Sequence, residues 1–546
     1  MQLLTEISRE GAGGYSLSAL TIPTQELLPD RYLRKDLNLP QVSEMDITKE
    51  FMERANTNIS VDDAKLFCLG SCTMGYTPDL IRKIHLPFLG LHPLQPEQTA
   101  QGAFKILHNL ERILSEFGGA EEGTLHPAAG AHSELTAIYM IEKYHRDNGE
   151  GEKRKYVVIP DSSHGTNPAT ATMAGYAKEN VVSIPTDKDG SMDYNALKEF
   201  MNEHGDEVAA LMITQPNTFG IYDKRIKEIT ELMHEHGAKV FCDGANFAAL
   251  TGRVRFADLG VDIWHFNLHK TFGVPHGGGG PGAGYVGATS DLVPYLPGPR
   301  IVENEGTFSL EYNPKSIGAV SSAFGNFLAD VMSLGYILAL GQDGFREASG
   351  RAVLAANYLF EKVKLVLPPA FDVPVAHEFV VLDIPLQKYG LTAGDFAKGL
   401  IDRRIYPTVN FPHASSIVRD PMTKELLYGP KIGNFLIEPT FNPKLSTLDD
   451  VAVDFEQILK QAQEEPDWLK YSPYTLSVGR VLDEADAWSD RYALSLARRG
   501  LSLTDWNRVG EELEQMFKDI QEHLRKDREK ELLGKGLGYQ LAFDEI

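Results

Sequence analysis

Short apolar runs that alternate with helical segments constrain the fold of this 546-residue chain more than any other feature. The runs are residues 156–159, 181–184, 208–213 and 239–242. Residues 192–203 and 225–236 between them have helical spacing, with Asp193 as a plausible cap and Gly237 as a stop. Apolar strands joined by helices are typical of a mostly parallel sheet covered on both faces. We therefore predict an α/β fold that binds ligands at the carboxyl ends of its strands.

The wider pattern predicts four segments. Residues 1–96 are rich in proline and are expected to wrap over another surface or form a dimer contact. Residues 97–330 form the large domain, and residues 331–485 a smaller α/β domain. Residues 486–546 are expected to be an extra helical tail, because apolar residues recur there at three- and four-residue spacing.

Further elements follow from the same periodicities. Apolar residues at helical spacing predict helices at 101–116 and 134–145, and a long helix near 327–340 that leads into the smaller domain. Residues 378–382 and 435–437 are candidate strands of that domain.

The composition excludes several classes of protein. A formal charge of −23 argues against non-specific binding to nucleic acid or to an anionic membrane, and no apolar run is long enough to span a bilayer. The N-terminus lacks a secretory or arginine-rich leader, and three cysteines in so long a chain indicate a cytoplasmic setting. Cys68 and Cys72 lack a second pair to complete a metal site, so no metal is expected.

Lys270 precedes a loop saturated with glycine, residues 275–282. A Schiff-base enzyme needs such a lysine at a strand end, because its amine must reach a carbonyl group. Glycine allows the backbone to approach a bulky cofactor closely. The alternative is a surface lysine beside a flexible loop, and the residues upstream favour the cofactor.

Pyridoxal 5′-phosphate also needs a carboxylate at its ring nitrogen and a group that stacks on its ring. Asp243 follows an apolar strand and is the candidate carboxylate, although a strand-end aspartate is often a helix cap. His164 follows another strand and can lie flat on the ring, or bond only to its own loop. Thr166 and Ala245, which are close to these two in sequence, complete this part of the candidate cofactor site.

The phosphate needs donors such as those at a helix N-terminus. Ala131, His132 and Ser133 open a helix, so their N–H groups and the serine hydroxyl are candidates, with ordinary capping as the alternative for Ser133. Asn217 can bond the ring hydroxyl or simply form a turn. His269, immediately before the lysine, is a weaker candidate for contact with phosphate or with a substrate carboxylate.

Several long segments of the chain resemble the glycine cleavage system P-protein family, in particular the subunit 2 type of two-chain bacterial enzymes. They are residues 69–74, 91–93, 99–102, 160–168, 243–246, 267–282, 314–318 and 377–379. The resemblance runs from near residue 20 to about residue 483. It implies a fold-type I enzyme with pyridoxal phosphate on Lys270, His164 stacked on the ring and Asp243 at its nitrogen. It also implies a lipoylated carrier protein, a degenerate sister subunit and an oligomer.

The chain departs from the family at several positions. Gly75 stands where lysine is usual, Ser133 where glycine is usual, and Ala319 where arginine is usual; Ser321 takes the next basic position. Phe441 replaces an acidic residue, and Gln215 an asparagine. Because lost cations can no longer hold carboxylates or an anionic carrier, these changes indicate an altered substrate or carrier, or else neutral drift at the surface.

The sequence therefore predicts a pyridoxal phosphate enzyme that decarboxylates glycine or a related amino acid through an external aldimine. Lys270 and His164 are the candidate catalytic residues, and the residual amine-bearing carbon passes to a carrier. One alternative is a divergent paralogue that decarboxylates, condenses or transaminates another amino acid. A lesser alternative is a non-catalytic partner subunit, against which the retention of Lys270, Asp243 and His164 argues.

Overall fold

The computed structural model describes residues 4, 6–13, 39–56, 64–68, 77–92, 95–274, 282–406, 408–409, 433–439 and 444–470. The chain divides into two compact units. One comprises Met1–Ile59 and Pro473–Ile546, and its described part contains helix α1 (Glu44–Asn56). At the start of α1, Asp46 accepts a hydrogen bond from Ser43 Oγ at 2.7 Å and pairs with Arg9 at 2.9 Å.

The second unit, Ser60–Ser472, contains the other elements of the described ranges. The strands are β1 (Leu66–Phe67), β2 (Glu122–Thr124), β3 (Tyr156–Pro160), β4 (Val181–Ile184), β5 (Val208–Thr214), β6 (Lys239–Gly244), β7 (Ile263–Asn267), β8 (Gly284–Ala288), β9 (Arg300–Asn304), β10 (Thr307–Glu311), β11 (Phe379–Leu382), β12 (Ile405–Tyr406), β13 (Thr408–Val409) and β14 (Asn434–Ile437).

The helices of this unit are α2 (Asp79–Lys83), α3 (Gln101–Gly118), α4 (Gly130–Asp147), α5 (Thr166–Met173), α6 (Tyr194–His204), α7 (Ile226–Glu235), α8 (Leu268–Thr271), α9 (Phe327–Val363), α10 (Ile384–Gln387), α11 (Ala393–Ile401), α12 (Leu445–Glu464) and α13 (Pro466–Lys470). Within the described ranges, no helix is both long enough and apolar enough to cross a membrane.

The main sheet has seven strands in the order β2-β8-β7-β6-β5-β3-β4. Neighbouring strands from β4 to β7 run parallel, and β8 is antiparallel to both β7 and β2. The predicted mostly parallel α/β sheet is confirmed. All four apolar runs from the sequence are strands of it, and they lie side by side as β4, β3, β5 and β6.

The central strands β5, β6, β7 and β8 are buried at every position, which explains why they are mostly apolar. Successive side chains of a strand point to opposite faces. Leu211 and Val240 pack into one core cluster, whereas their neighbours Met212 and Phe241 pack into a second. Trp264 of β7 joins the first cluster. The two clusters hold the strand ends in fixed register.

The predicted helix signals are also present. Asp193 caps α6: its side chain accepts hydrogen bonds from the N–H groups of Asn195 and Ala196 at 2.9 and 3.2 Å. The helix begins at Tyr194, two residues later than predicted. Gly237 follows α7 with a φ of +73°, a left-handed conformation that glycine adopts at little cost.

The helix predicted near residues 327–340 is confirmed as the first part of α9. Gly341, with a φ of 65° and a ψ of 175°, is not helical and separates this part from a second helical part that runs to Val363. The predicted strands of the smaller domain are β11 and β14, which form an antiparallel sheet with β13. The boundaries at residues 96, 330 and 485 stay predictions, and the predicted tail from Trp488 lies outside the described residues.

Candidate cofactor site

The strand ends bring three of the predicted site residues to one edge of the sheet. Asp243 lies near the carboxyl end of β6. Lys270 lies just beyond β7 in the short helix α8, and His164 lies in the loop between β3 and α5. Because β3, β5, β6 and β7 are parallel, their carboxyl ends share this edge.

Asp243 is a buried carboxylate with only 2% of its surface exposed. One of its oxygens accepts a hydrogen bond from the Ala245 N–H at 2.9 Å, and the other from Asn167 Nδ2 at 3.3 Å. The neighbouring strand β7 places His265 Nε2 3.4 Å from Asp243 Oδ1. Burial opposes ionisation, but His265 and then Lys270 outweigh it, so the pKa of Asp243 is lower than usual. Asp243 is therefore ready to pair with a buried cation.

Lys270 is half-buried at the centre of the titratable groups. Its charge contributes to lowering the pKa of Asp243 and of His265. It acts as well on His377, whose pKa falls to about 3, mainly because His377 is buried. His377 lies 3.8 Å from Glu378, and Glu378 accepts a hydrogen bond from Asn246 at 3.0 Å. The segment before β11 thus closes the site on one side.

His164 is exposed and bonds through Nδ1 to Thr166 Oγ1 at 2.7 Å. Thr166 Oγ1 also contacts Glu134 Oε1 of α4 at 2.8 Å. Glu134 is buried, and its second oxygen has no hydrogen-bond partner among the described residues. Burial, followed by the negative charge of Asp243, raises the pKa of Glu134 to about 8.

The N-terminus of α4 lies beside the lysine segment. A Cβ added to Gly130 would come within 2.5 Å of the Asn267 Oδ1 atom, which has no hydrogen-bond partner in the described structure. Ala131 is exposed, and His132 Nδ1 accepts a hydrogen bond from the Ala128 N–H at 3.2 Å. This 18-residue helix presents main-chain N–H groups and a positive dipole end to the site.

Three side chains that are candidates for contact with the cofactor make hydrogen bonds within the chain. The buried Ser133 hydroxyl donates to the Ala129 carbonyl at 3.0 Å, which leaves the main-chain donors of α4 for phosphate. Asn217 adopts the turn alternative: its Oδ1 accepts from the N–H groups of Phe219 and Ile221, and its Nδ2 donates to the Gly190 carbonyl. His269 Nδ1 accepts from the Ala283 N–H at 3.2 Å.

The glycine loop is described only from Gly282 onward. Where it joins β8, a Cβ on Gly284 would come within 2.3 Å of Ser133 Oγ and 2.9 Å of the Ala129 carbonyl. Glycine at this position thus allows the strand to pass close to the start of α4.

The departures from the family pattern have distinct structural settings. Ala319 lines a groove of about 440 Å³ together with Tyr139, Lys143 and Arg146 of α4. Ser321 donates a hydrogen bond to the His126 carbonyl at 3.0 Å. The Gln215 side chain bonds to both main-chain groups of Asp223 at 3.1 Å. Gly75 and Phe441 lie outside the described residues.

Sequence reasoning missed three residues around Asp243 and His164. Asn167 lies only three residues beyond His164, yet a loop asparagine usually forms a turn. His265 is opposite Asp243 in the β6–β7 register, which the sequence does not reveal. Glu134 is buried against Thr166 through the packing of α4 on α5, which the sequence does not reveal.

The donor set fits pyridoxal phosphate. The cofactor has a ring nitrogen that binds a carboxylate when protonated, an aldehyde that reacts with an amine, and a phosphate. Asp243 supplies an ionised buried carboxylate, Lys270 a half-buried amine, and α4 an N-terminus. These three features surround one strand edge.

Solved structures share this fold. A glycine decarboxylase (P-protein) of the glycine cleavage system, in inhibitor-bound form, superposes with a TM-score of 0.61 at 20% identity, covering 79% of this chain and 93% of that one. A cysteine desulfurase from Thermococcus onnurineus gives a TM-score of 0.54 at 16% identity, covering 72% and 94%. The chain therefore has the fold of the fold-type I pyridoxal phosphate enzymes.

Sequence comparison narrows the class. The sequence model of the glycine cleavage system P-protein matches residues 14–306. The probable glycine dehydrogenase (decarboxylating) subunit 2 of Caldanaerobacter subterraneus is 42% identical over 490 residues, covering 88% of this chain and 96% of the relative. That of Aquifex aeolicus is 42% identical over 497 residues, covering 89% and 97%. The chain belongs to the glycine cleavage system P-protein family.

Proposed function

We propose that this chain decarboxylates glycine with pyridoxal phosphate bound at Lys270. The observation that carries the proposal is the buried, ionised Asp243 beside Lys270 at the carboxyl edge of the sheet. Relatives named as probable glycine dehydrogenase subunit 2 share 42% of their residues with this chain over nearly their whole length, which supports the choice of glycine.

Each residue of the site has a distinct task. Asp243 holds a proton on the ring nitrogen, and the Asn167 and Ala245 donors fix the orientation of its carboxylate. When bound, pyridoxal phosphate accepts the electron pair that remains at the α-carbon after carbon dioxide leaves. Lys270 would hold the cofactor, and its amine would also be placed to move a proton at the substrate.

His164 covers the face of the cofactor ring, and the N–H groups at the start of α4, near Ala131 and His132, bind the phosphate. His164 is exposed, so its ring is accessible to a flat ligand. Ser133, Asn217 and His269 Nδ1 hold the loops around the ligand through hydrogen bonds within the chain.

The residual aminomethyl group passes to a lipoylated carrier, and a sister subunit completes the assembly. The subunit 2 designation of the relatives supports a two-chain enzyme. A cytoplasmic location is proposed on the cysteine content, and the described Cys68 and Cys242 are both buried.

The groove beside Ala319 favours one alternative, a divergent paralogue that acts on another amino acid or uses another carrier. An arginine at position 319 would add a long cationic side chain to a groove where Lys143 and Arg146 are already paired with Asp147 and Glu142. Alanine leaves this space open. The surface that contacts the carrier would then differ from that of the family, while the site around Asp243 would be unaffected.

Isotope exchange separates these functions. Exchange of labelled bicarbonate into glycine, with lipoylated carrier present, is expected for the glycine enzyme. Absence of exchange together with turnover of a larger amino acid would favour the paralogue. A protein that cannot bind pyridoxal phosphate would refute both and would favour a non-catalytic partner subunit.

If the groove selects the carrier, Ala319→Arg alters the KM for carrier and leaves the affinity for pyridoxal phosphate unchanged; Leu135→Met, on the same groove, is the control.

A further inference from the structure

Three side chains form a continuous hydrogen-bond chain from the buried edge of the site to His164. Glu134 Oε1 lies 2.8 Å from Thr166 Oγ1, and Thr166 Oγ1 lies 2.7 Å from His164 Nδ1. The threonine hydroxyl has one proton, so it donates to one neighbour and accepts from the other. The direction of donation in both hydrogen bonds therefore depends on whether Glu134 holds a proton.

Two arrangements of the protons satisfy both of these hydrogen bonds. With Glu134 ionised, the Thr166 hydroxyl donates to the carboxylate and His164 donates from Nδ1, which leaves a lone pair on Nε2. With Glu134 protonated, the carboxyl donates to Thr166, Thr166 donates to Nδ1, and the imidazole proton is on Nε2. In the second arrangement the Thr166 N–H, 3.3 Å from Nδ1, is a further donor to that nitrogen.

The two arrangements differ by one proton. A proton that enters at Nε2 makes the ring cationic; the Nδ1 proton then moves to Thr166, and the Thr166 proton moves to Glu134. The ring ends neutral, and the added proton is held by the carboxyl group. No other reactant is needed, because each donor that loses a proton receives another.

The surroundings of Glu134 suit it to hold a proton. Only 4% of its surface is exposed, and its Oε2 has no partner within the described part of the chain. Asp243 and Lys270 are the charged groups that face it, from β6 and α8, and Thr170 lies nearby on α5. Burial and Asp243 favour the neutral form and raise the pKa of Glu134 to about 8, while Lys270 and the two threonines oppose them.

We propose that Glu134 stores the proton taken up at His164 Nε2, with Thr166 as the link, and thereby sets the tautomer of the ring that covers the cofactor. Glu134 and Thr166 are thus positioning residues that act through His164. The chain of hydrogen bonds is a property of the protein alone, whereas its use in turnover rests on the proposed function.

Ring-nitrogen NMR of the full-length protein, labelled with ¹⁵N-histidine, tests the proposal. The His164 signals are assigned by their loss in His164→Asn. The neutral ring is expected to change from the Nε2–H to the Nδ1–H tautomer as the pH rises through about 8. Glu134→Gln and Thr166→Val should each abolish this change, and Thr166→Ser should retain it, because serine keeps the hydroxyl.

Persistence of the tautomer change in Glu134→Gln or in Thr166→Val would overturn the proposal, as would its absence from the wild type. The two variants alter different side chains, so misfolding of one leaves the other as a test. The same spectra recorded with pyridoxal phosphate test the proton store and the proposed function separately. A tautomer change without any cofactor binding would contradict the proposed function and leave the proton store intact.

Discussion

Asp330 provides a stringent test of the buried electrostatics in this fold. It lies on α9, is 1% exposed, and neither carboxyl oxygen has a hydrogen-bond partner among the described residues. Burial, with the nearby charge of Glu111, raises the pKa of Asp330 well above its usual value. We therefore expect Asp330→Asn to change the pH dependence of stability.

The sign follows from proton binding. Above the pKa of the unfolded chain, about 3.9, the unfolded state loses its proton while the folded state keeps it. Wild-type stability from this group is fully present at lower pH and is lost as the pH rises towards the folded pKa. Each pH unit in this window corresponds to about 1.36 kcal/mol, so from pH 5 to pH 7 the variant gains as much as about 2.7 kcal/mol relative to wild type.

Urea unfolding of wild type and Asp330→Asn at pH 5 and at pH 7 measures this difference. The matched control is Asp343→Asn, which removes an exposed carboxylate from the same helix and should give a constant difference. A difference between wild type and Asp330→Asn that also stays constant with pH would refute the reasoning, because it would show that Asp330 ionises as readily in the folded protein as in the unfolded chain.

Two further predictions concern local structure and are measured by urea unfolding. Asp193→Ala removes both cap hydrogen bonds of α6 and should cost about 1 kcal/mol, whereas Asp193→Asn should cost little; equal losses would contradict the cap. Gly220→Ala should cost more than about 1 kcal/mol, because φ is +74° and the new Cβ would lie 1.8 Å from the Glu378 carbonyl. Gly318→Ala is the control, because a Cβ at this position would have no other atom within 4 Å and only the cost of the left-handed backbone remains. An equal cost for the two variants would refute the clash.

The sequence predicted the large sheet well because its strands are buried on both faces and their apolar runs are continuous. The sequence did not predict the register between the strands. Asp243 and His265 are opposite each other only because β6 and β7 pair as they do, and neither side chain has a local signal for the other. The same holds for Glu134 and Thr166, which lie 32 residues apart and meet through the packing of α4 on α5.

Helix ends were predicted to within a few residues where a local cause exists. Asp193 and Gly237 are such causes, because capping and the left-handed conformation are properties of one or two residues. The first part of α9 was predicted up to Gly341, whose backbone is not helical, whereas its second part, which runs to Val363, was not predicted. The side-chain roles of Ser133 and Asn217 were left open for a similar reason: a loop hydroxyl or amide bonds its own backbone as readily as a ligand.

The family relationship and the site geometry support the same account in different ways. The 42% identity to the subunit 2 relatives covers nearly their whole length, and the structure adds the reason why Asp243 remains ionised in a buried position. Within the described residues, the departures at Ala319 and Ser321 lie in the 317–321 loop rather than among the groups that contact Asp243. The changes at these two positions therefore leave the groups that contact Asp243 unaltered.

The most direct test of the central claim is the covalent site of pyridoxal phosphate. The protein is mixed with the cofactor, reduced with borohydride to fix it on the amine to which it is linked, digested, and analysed by mass spectrometry. The account predicts the modification on Lys270, its loss in Lys270→Ala together with the visible absorbance band, and a spectral change of the wild type with glycine. Modification of a different lysine, or a band that persists in Lys270→Ala, would contradict it.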